Sequence, residues 1–296
     1  MKRAAFLDHV SWTGAGIVWT LGAAGVLRAI PAEAAASHSG GFSFVQISDS
    51  HIGFTRPENP DVAATLQKTV DAINALPQQP AFVMHTGDIT HLATPAQFDA
   101  AKQILSTLRA PLVTLPGEHD VSGTPANYFA AFGNADAPKG WLSWDRGGIH
   151  FLSLVNVFNF EISGKLGDEQ LAFAENDLAA QKASTPIVVF AHVPLFARFP
   201  DWGWTTIDGT RLIAALRRFD AVTVLNGHVH QVAQHTDGNI RFATAAATAY
   251  PQPEPGSAPK PGPLMVPHEA LLGRLGYRSV TIEPRRGLQY TDRALA

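Results

Sequence analysis

From residue 42 onward, the hydrophobic positions of the chain follow two periodicities. Short runs rich in β-branched and aromatic residues predict strands, and longer runs with apolar residues three or four apart predict helices. The predicted strands cover 42–48, 81–86, 111–116, 149–155, 186–191, 221–225, 240–244, 277–283 and 288–291. The predicted helices cover 61–76, 95–108, 168–181 and 208–219. Strands that alternate with helices in this way are typical of a layered α/β domain.

The composition does not shift between residue 42 and the C-terminus. We therefore expect a single domain over 42–296. Residues 251–267 contain seven prolines, and this density predicts a long, semi-rigid loop inside the domain.

The first 36 residues have the features of an export signal. A basic start, Lys2-Arg3, precedes an uncharged stretch over 10–27 and small residues over 31–36. The segment resembles a twin-arginine signal, although a lysine stands in place of the first arginine. A Sec signal, an uncleaved membrane anchor and an amphipathic helix are the alternatives. The pattern favours export to the periplasm, without stable membrane association once the signal is cleaved.

The composition excludes several kinds of partner and of functional site. The net charge is −3, so the chain lacks the positive charge that a nucleic-acid-binding protein uses, and we expect no nucleic-acid partner. Because there is no cysteine, disulfides, thiolate metal sites and a cysteine nucleophile are excluded. The chain contains 12 histidines, which would have to share any metal site with carboxylates. The sequence does not indicate an oligomeric state.

Potential metal ligands stand where the predicted strands end. The polar residues at these ends are Asp49, His51, Asp88, Glu118, His119, Asp120, His192, His228 and His230. In open α/β sheets, functional groups collect at the carboxyl ends of the strands. Imidazoles and carboxylates that converge there form the ligand set of a transition-metal site.

Taken in order, these blocks resemble the signature of the calcineurin-like metallophosphoesterase family. That signature is Asp-x-His, Gly-Asp, Gly-Asn-His-Asp/Glu, a lone His and Gly-His-x-His. Here it reads Asp49-Ser50-His51, Gly87-Asp88, Gly117-Glu118-His119-Asp120, His192 and Gly227-His228-Val229-His230. The resemblance covers about residues 42–248 and is strongest to the bacterial cyclic-nucleotide phosphodiesterase-like branch. It implies an α/β/β/α sandwich of two mixed sheets flanked by helices.

The resemblance also implies a centre of two metal ions, divalent or mixed-valence Mn, Fe or Zn. The first metal would take Asp49, His51, Asp88 and His230. The second would take Asp88, Glu118, His192 and His228. Asp88 would bridge the two metals and offer one carboxylate oxygen to each.

The same resemblance implies the catalytic roles. A hydroxide between the metals would attack a small phosphate ester, and the expected substrate is a diester. His119 would act as the general acid, and Asp120 would orient its imidazole. A phosphomonoesterase, a protein phosphatase and a non-catalytic metal-binding scaffold of the same fold are the alternatives.

Glu118 departs from the family, which has asparagine at this position. The extra carboxylate lowers the summed charge of two divalent metals, a hydroxide, Asp49 and Asp88 from +1 to zero. Three hypotheses follow: one metal is trivalent, the site favours monoanionic diesters over dianionic monoesters, or the second metal site is weak.

Other polar and aromatic residues are open to two interpretations. In the loop after His192, Arg198 would contact a phosphate, and Trp202 and Trp204 would stack on a substrate ring; local packing of the loop is the alternative. We expect His85 to be a hydrogen-bonded core residue and His91 to lie outside the ligand set. His150 and His235 have no recognisable partner in the sequence.

Overall fold

The computed structural model describes residues 17–21, 27–31, 42–158, 160–161, 163–283 and 287–296. The strands are β1 (Ile17–Leu21), β2 (Leu27–Pro31), β3 (Ser43–Ile47), β4 (Val83–His85), β5 (Leu112–Thr114), β6 (Leu142–Arg146), β7 (Ile149–Ser153), β8 (Ile187–Phe190), β9 (Val222–Asn226), β10 (Ala233–Asp237), β11 (Ile240–Thr244), β12 (Gly276–Glu283) and β13 (Gly287–Ala294). The helices are α1 (Val62–Asn74), α2 (Pro95–Leu105), α3 (Ala126–Phe132), α4 (Asp168–Ala179), α5 (Gly209–Leu216) and α6 (His268–Leu271). Short 3-10 helices cover Glu118–Asp120 and Pro200–Trp202.

Two mixed sheets form the centre of the molecule. One has the strand order β13-β12-β3-β4-β5, in which β3, β4 and β5 are parallel and β12 is antiparallel to β3. The other has the order β10-β11-β9-β8-β7-β6, in which β11, β9, β8 and β7 are parallel and both edge strands are antiparallel. In each sheet the parallel strands end at a common edge.

An aromatic core lies between the two sheets. Phe44 of β3 stacks on Phe82 at a ring-centroid distance of 5.0 Å and meets Phe151 and Phe190 of the other sheet edge-on at 5.7 Å. Helices α1, α2 and α3 pack on the outer face of the first sheet, and α4 and α5 pack on the outer face of the second. These layers confirm the predicted α/β/β/α sandwich.

The alternation within β8 shows how a nearly continuous apolar run serves two cores. Ile187 and Val189 pack against the side that carries α4 and α5, and Val188 and Phe190 pack into the core between the sheets. A strand covered on both faces needs apolar residues at every position. This explains why Pro186–Ala191 of the sequence predicts a strand without a polar face.

The predicted helices begin where their sequences supply caps. Asp61 accepts a hydrogen bond from the backbone N–H of Ala64 at the start of α1. Thr94 accepts one from Gln97 at the start of α2, where Pro95 occupies the first turn. All the strands and helices predicted from residue 42 onward are present, with ends shifted by a few residues. Among the strands and α-helices described from residue 42 onward, four were not predicted: α3, α6, β6 and β10.

Most of the predicted export signal, namely residues 1–16, 22–26 and 32–36, lies outside the described residues. The parts that are described, β1 and β2, pair antiparallel with each other. In the described portion of the chain, no helix combines the length and the apolar character needed to span a bilayer. The 251–267 segment is free of helix and strand, as predicted for a proline-rich loop.

Candidate metal centre

The candidate ligands lie at the carboxyl ends of strands from both sheets. Asp49 and His51 follow β3, and Asp88 follows β4. His192 follows β8, and the His228-His230 pair follows β9. Glu118 comes from the 3-10 helix after β5. The parallel strands therefore bring residues that are far apart in sequence to one place between the sheets.

The first group of ligands is formed by Asp49, His51, Asp88 and His230. The Nε2 atom of His230 lies 3.2 Å from Nε2 of His51 and 3.3 Å from Oδ1 of Asp49. The Nε2 atom of His51 lies 3.5 Å from Oδ2 of Asp88. All four residues are buried. These nitrogen and oxygen atoms surround a space in which a cation would have imidazole and carboxylate ligands.

Glu118, His192 and His228 form the second group. The two carboxylate oxygens of Glu118 face different imidazoles, Oε2 lying 2.9 Å from Nε2 of His192 and Oε1 lying 2.9 Å from Nδ1 of His228. These three residues could hold a metal ion. The structure thus brings together all seven predicted ligands, in the two groups that the family signature implied.

Asp88 lies between the two groups. Its Oδ2 atom is 3.5 Å from Nε2 of His51 and 3.4 Å from Nε2 of His192. Its Oδ1 atom accepts a hydrogen bond of 2.9 Å from the backbone N–H of His119. In the structure a single oxygen, Oδ2, faces both groups and Oδ1 accepts from the backbone; that each oxygen serves one metal stays a prediction.

Backbone carbonyls orient two of the imidazoles. The Nδ1 atom of His192 donates to the carbonyl of Thr86, and Nδ1 of His230 donates to the carbonyl of Tyr250, each at 2.7 Å. Because Nδ1 carries the proton in both rings, Nε2 keeps its lone pair for a metal. Such outer partners fix the tautomer and the orientation of histidine ligands.

The electrostatics keep the carboxylates ionised. Burial alone would raise the pKa of Glu118, but the neighbouring His228 and His192 hold it well below its usual value. For Asp49, burial is likewise outweighed by His230 and His192, and its pKa falls to about 2. The Oε2 atom of Glu118 and Nε2 of His192 are buried and lack a hydrogen bond within the part of the chain that the structure describes. A cation would satisfy both atoms, so the residues fit a metal centre.

The backbone is strained at the same positions. In the described ranges, six residues other than glycine have positive φ angles, and five of them are candidate ligands: Asp49, His51, Asp88, His228 and His230. Such conformations cost about 1–3 kcal/mol each and are maintained where the surrounding structure enforces them. The concentration of strain at these residues indicates a functional site.

Two glycines allow the chain segments to approach each other. A Cβ atom at Gly117 would lie 2.1 Å from Oδ1 of Asp88, and one at Gly227 would lie 2.7 Å from Oδ2 of Asp49. Side chains at these positions would displace the carboxylates. The glycines of the two signature blocks therefore leave room for the ligands of the neighbouring blocks.

The model of the family named calcineurin-like phosphoesterase matches residues 42–232 of the chain. The chain belongs to this family. It is a metallophosphoesterase, a hydrolase of phosphoric esters, in a family that uses a binuclear divalent metal centre.

Similar proteins carry both diesterase and phosphatase names. The glycerophosphodiester phosphodiesterase GpdQ of Enterobacter lignolyticus is 27% identical over 77% of this chain and 85% of its own length. The serine/threonine-protein phosphatase CPPED1 of Danio rerio is 29% identical over 71% of this chain and 76% of its own. The crystal structure of a dimetal phosphatase from Danio rerio matches 87% of this chain and 98% of its own with a TM-score of 0.67 and 13% identity, which shows a shared fold.

His119 of the metallophosphoesterase signature lies beside the bridging Asp88. Burial alone would lower the pKa of its imidazole, but the charges of Asp88 and Glu118 raise the pKa above its ordinary value. The Nδ1 atom of His119 donates a hydrogen bond of 2.8 Å to the carbonyl of His91. This carbonyl directs the ring so that Nε2 is the nitrogen without a backbone partner.

Asp120 does not orient the His119 imidazole by a hydrogen bond, contrary to prediction. Among the described residues, its fully buried carboxylate accepts bonds from the backbone N–H groups of Ile89, Thr90 and Gly117 and from the Thr90 hydroxyl, at 2.8–3.0 Å. Asp120 thus ties the turn that carries His119 to the segment that follows Asp88. Asp120 therefore acts on His119 by holding its turn and by its charge, which adds to the rise in the His119 pKa, and not by a hydrogen bond to the ring.

Of the three loop residues predicted to contact the substrate, one is buried in the structure. Trp204 is 1% exposed and packs edge-on against Trp202 at 5.0 Å, so its predicted stacking on a substrate was wrong. Trp202 is half-buried, and Arg198 pairs with Glu254 of the proline-rich loop at 3.5 Å. For Arg198 and Trp202, substrate contact stays a prediction.

Histidines outside the signature blocks also contact polar side chains in the structure. His85 is buried and bonded to the Ser50 hydroxyl at 2.9 Å, as expected of a core histidine. His150, which has no partner pattern in the sequence, lies between Asp145 at 2.8 Å and Asp177 at 2.6 Å. His91 has its Nδ1 atom 3.3 Å from Nδ1 of His51.

Tyr250 was not singled out from the sequence. Its ring covers His51 and His230 at centroid distances of 5.0 and 4.7 Å. Burial and the charges of Asp88 and Asp49 raise the pKa of its phenol. Tyr250 comes directly before the proline-rich loop, and no local motif marks it as part of the centre.

Proposed function

We propose that the protein is a binuclear metal-dependent phosphodiesterase. The observation that supports this most strongly is that two groups of ligands share the Oδ2 atom of Asp88, with His119 directly beside them. Two bound cations, divalent or mixed-valence Mn, Fe or Zn, would lower the pKa of water and withdraw charge from a phosphate ester.

In this proposal, the residues of the chain bind the cations and supply the proton. Asp49, His51, Asp88 and His230 would hold the first cation, and Asp88, Glu118, His192 and His228 would hold the second. The His91 carbonyl holds Nδ1–H of His119, so the Nε2 atom donates the proton that the departing alkoxide needs.

Glu118 supports a preference for diesters. It brings a third carboxylate to a centre where the family signature has a neutral amide, so the net charge of the site falls by one. A monoester dianion loses more attraction to such a site than a diester monoanion does. The glycerophosphodiester phosphodiesterase among the similar proteins agrees with this preference.

A phosphomonoesterase or protein phosphatase is the second candidate. It is supported by the similarity to the serine/threonine-protein phosphatase CPPED1, which covers a comparable share of the chain. The two candidates share the metal centre and differ in the charge of the ester that binds to it.

A comparison of two chromogenic esters tests the proposal. Bis(p-nitrophenyl) phosphate and p-nitrophenyl phosphate are each assayed with Mn²⁺ and with a chelator. We expect chelator-sensitive hydrolysis of both, with the larger kcat/KM for the diester. A larger value for the monoester would favour the second candidate, and no hydrolysis of either ester by metal-loaded protein would indicate a non-catalytic scaffold.

We also propose that residues 1–36 direct export to the periplasm, on the basis of Lys2-Arg3, the uncharged stretch and the small residues that follow. N-terminal sequencing of protein recovered from a periplasmic fraction tests this. A start near residue 37 is expected. An intact N-terminus in the membrane fraction would support the anchor instead.

A further inference from the structure

We infer that His91 is a positioning residue that supports both a metal ligand, His51, and the general acid, His119. This inference rests on the proposed function. His91 lies outside the signature blocks, three residues after Asp88, and its half-buried ring sits at the edge of the ligand cluster. Two of its contacts lead to the residues that it would support, and its ring also meets Phe54 edge-on at 5.3 Å.

The first contact joins two imidazoles. The Nδ1 atom of His91 lies 3.3 Å from Nδ1 of His51. The opposite nitrogen of His51, Nε2, faces Asp88 and His230 at 3.5 and 3.2 Å and is the nitrogen placed to bind a metal. A metal-binding Nε2 carries no proton, so Nδ1 of His51 carries it and donates it to His91.

His51 has no backbone carbonyl in this role, in contrast to His192 and His230. Those two ligands donate Nδ1–H to the carbonyls of Thr86 and Tyr250. In the described part of the chain, the hydrogen-bond partner of Nδ1 in His51 is the side chain of His91. The His91 side chain thus does for His51 what backbone carbonyls do for His192 and His230, and a side chain, unlike a carbonyl, can be substituted.

The second contact reaches the general acid. The carbonyl of His91 accepts the Nδ1–H of His119 at 2.8 Å, and the two rings stack at a centroid distance of 4.9 Å and an angle of 15°. The backbone N–H of His91 donates to the carbonyl of Ile52 at 3.0 Å, which fixes the residue beside the His51 segment. The rings of His51, His91 and His119 thus pack against one another, with centroid distances of 4.7–5.4 Å.

Two substitutions separate these contributions. His91→Phe keeps an aromatic ring and the carbonyl but removes the nitrogen that accepts from His51. His91→Asn keeps an acceptor near the Nδ1 position but removes the ring that stacks on His119. His235→Phe is the matched control, because His235 is an exposed histidine stacked on Phe196. Thermal melting of each metal-free variant establishes that it is folded.

Metal affinity is measured without substrate, by competition between the protein and a chelator for Mn²⁺. We expect His91→Phe to weaken one of the two Mn²⁺ sites by about 10–100-fold, as other losses of outer ligand partners do. His91→Asn and His235→Phe are expected to stay close to wild type. Wild-type affinity in His91→Phe, or equal losses in His91→Phe and His91→Asn, would overturn the role at His51.

The role of His91 at His119 is tested by comparing kcat for two esters that have different leaving groups. His91→Asn is expected to lower kcat for diphenyl phosphate more than for bis(p-nitrophenyl) phosphate, since phenolate needs its proton more than p-nitrophenolate does. An equal loss on both esters would overturn this role. If the wild type hydrolyses neither ester, the proposed function fails, and the metal titration still decides the role at His51.

Discussion

The Nε2 atom of His192 lies 2.9 Å from the Oε2 atom of Glu118, and neither buried atom has a hydrogen bond within the described residues. The other nitrogen of His192 donates to Thr86, so its Nε2 has a lone pair that faces a carboxylate. Two acceptors at this distance repel each other unless a proton or a cation lies between them. Without a cation, the proton is held there, since Asp88 and Glu118 raise the pKa of His192 well above its ordinary value against the effect of burial.

The charge of Glu118 is expected to set the ester preference. Glu118→Asn restores the residue of the family signature and removes one negative charge. We expect the ratio of monoester to diester kcat/KM to rise tenfold or more, because a pair of unit charges at about 4 Å is worth on the order of 1–4 kcal/mol. Metal analysis of both proteins is the control. An unchanged ratio with unchanged metal content would show that Glu118 does not determine the preference.

The loss of activity on removal of the His119 imidazole is expected to depend on the leaving group. We expect His119→Gln to lower kcat for diphenyl phosphate by about 10²–10⁴-fold, since that is the range for general acid catalysis. The loss for bis(p-nitrophenyl) phosphate is expected to be smaller, because p-nitrophenolate departs without a proton. Mn²⁺ stoichiometry should not change. A variant that loses both activities equally would argue against an acid role.

Gly117→Ala is expected to disrupt metal binding through sterics alone. Its Cβ atom would lie 2.1 Å from Oδ1 and 2.4 Å from the backbone nitrogen of Asp88, so the bridging carboxylate must move. We expect weaker binding of both metals and a loss of activity of at least tenfold, since a small displacement in an active site has effects of this size or larger. Gly273→Ala is the control, because the nearest atom to its Cβ is 3.4 Å away. Wild-type metal affinity in Gly117→Ala would contradict the close packing described here.

The ion pairs of His150 are expected to make stability depend on pH. Burial opposes the charged imidazole, but the hydrogen bonds that it donates to Asp177 and Asp145 raise its folded-state pKa above 6.5. The stabilisation is therefore fully present below pH 6.5 and is lost as pH rises through the folded-state pKa.

Urea unfolding of His150→Gln against wild type measures this contribution. We expect a difference of about 1–3 kcal/mol near pH 6, the range for hydrogen bonds to charged groups, and a smaller difference near pH 9. His235→Gln controls for the loss of an exposed histidine. A difference in unfolding free energy that grows with pH would contradict a raised folded-state pKa of His150.

The strands, the helices and the candidate ligands could be predicted because they depend on local signals, whereas the order of the layers came from the family resemblance. Alternating apolar residues predict the strands, and a ligand directly after a parallel strand must reach the common edge of the sheet. The missed elements have weak local signals: α6 has a single turn, α3 lacks a side-chain cap, and β10 is an edge strand with an exposed centre.

Other features could not be predicted because they depend on how distant segments pack. Asp120 is adjacent to His119 in sequence, but its carboxylate points to the backbone of the segment after β4. Trp204 is buried by its own loop, and the partners of His150 come from β6 and α4. The orientation of Asp88, whose Oδ2 atom faces both ligand groups, is accompanied by a backbone hydrogen bond to Oδ1 that no motif encodes.

The number of metal ions bound per chain is the measurement that decides whether the centre is binuclear. Protein stripped with a chelator is titrated with Mn²⁺ in a calorimeter, with Glu118→Ala in parallel. We expect two ions per wild-type chain, and at most one tightly bound ion in the variant, because it loses the carboxylate that faces His192 and His228. A wild-type stoichiometry of one ion or none would contradict the binuclear centre.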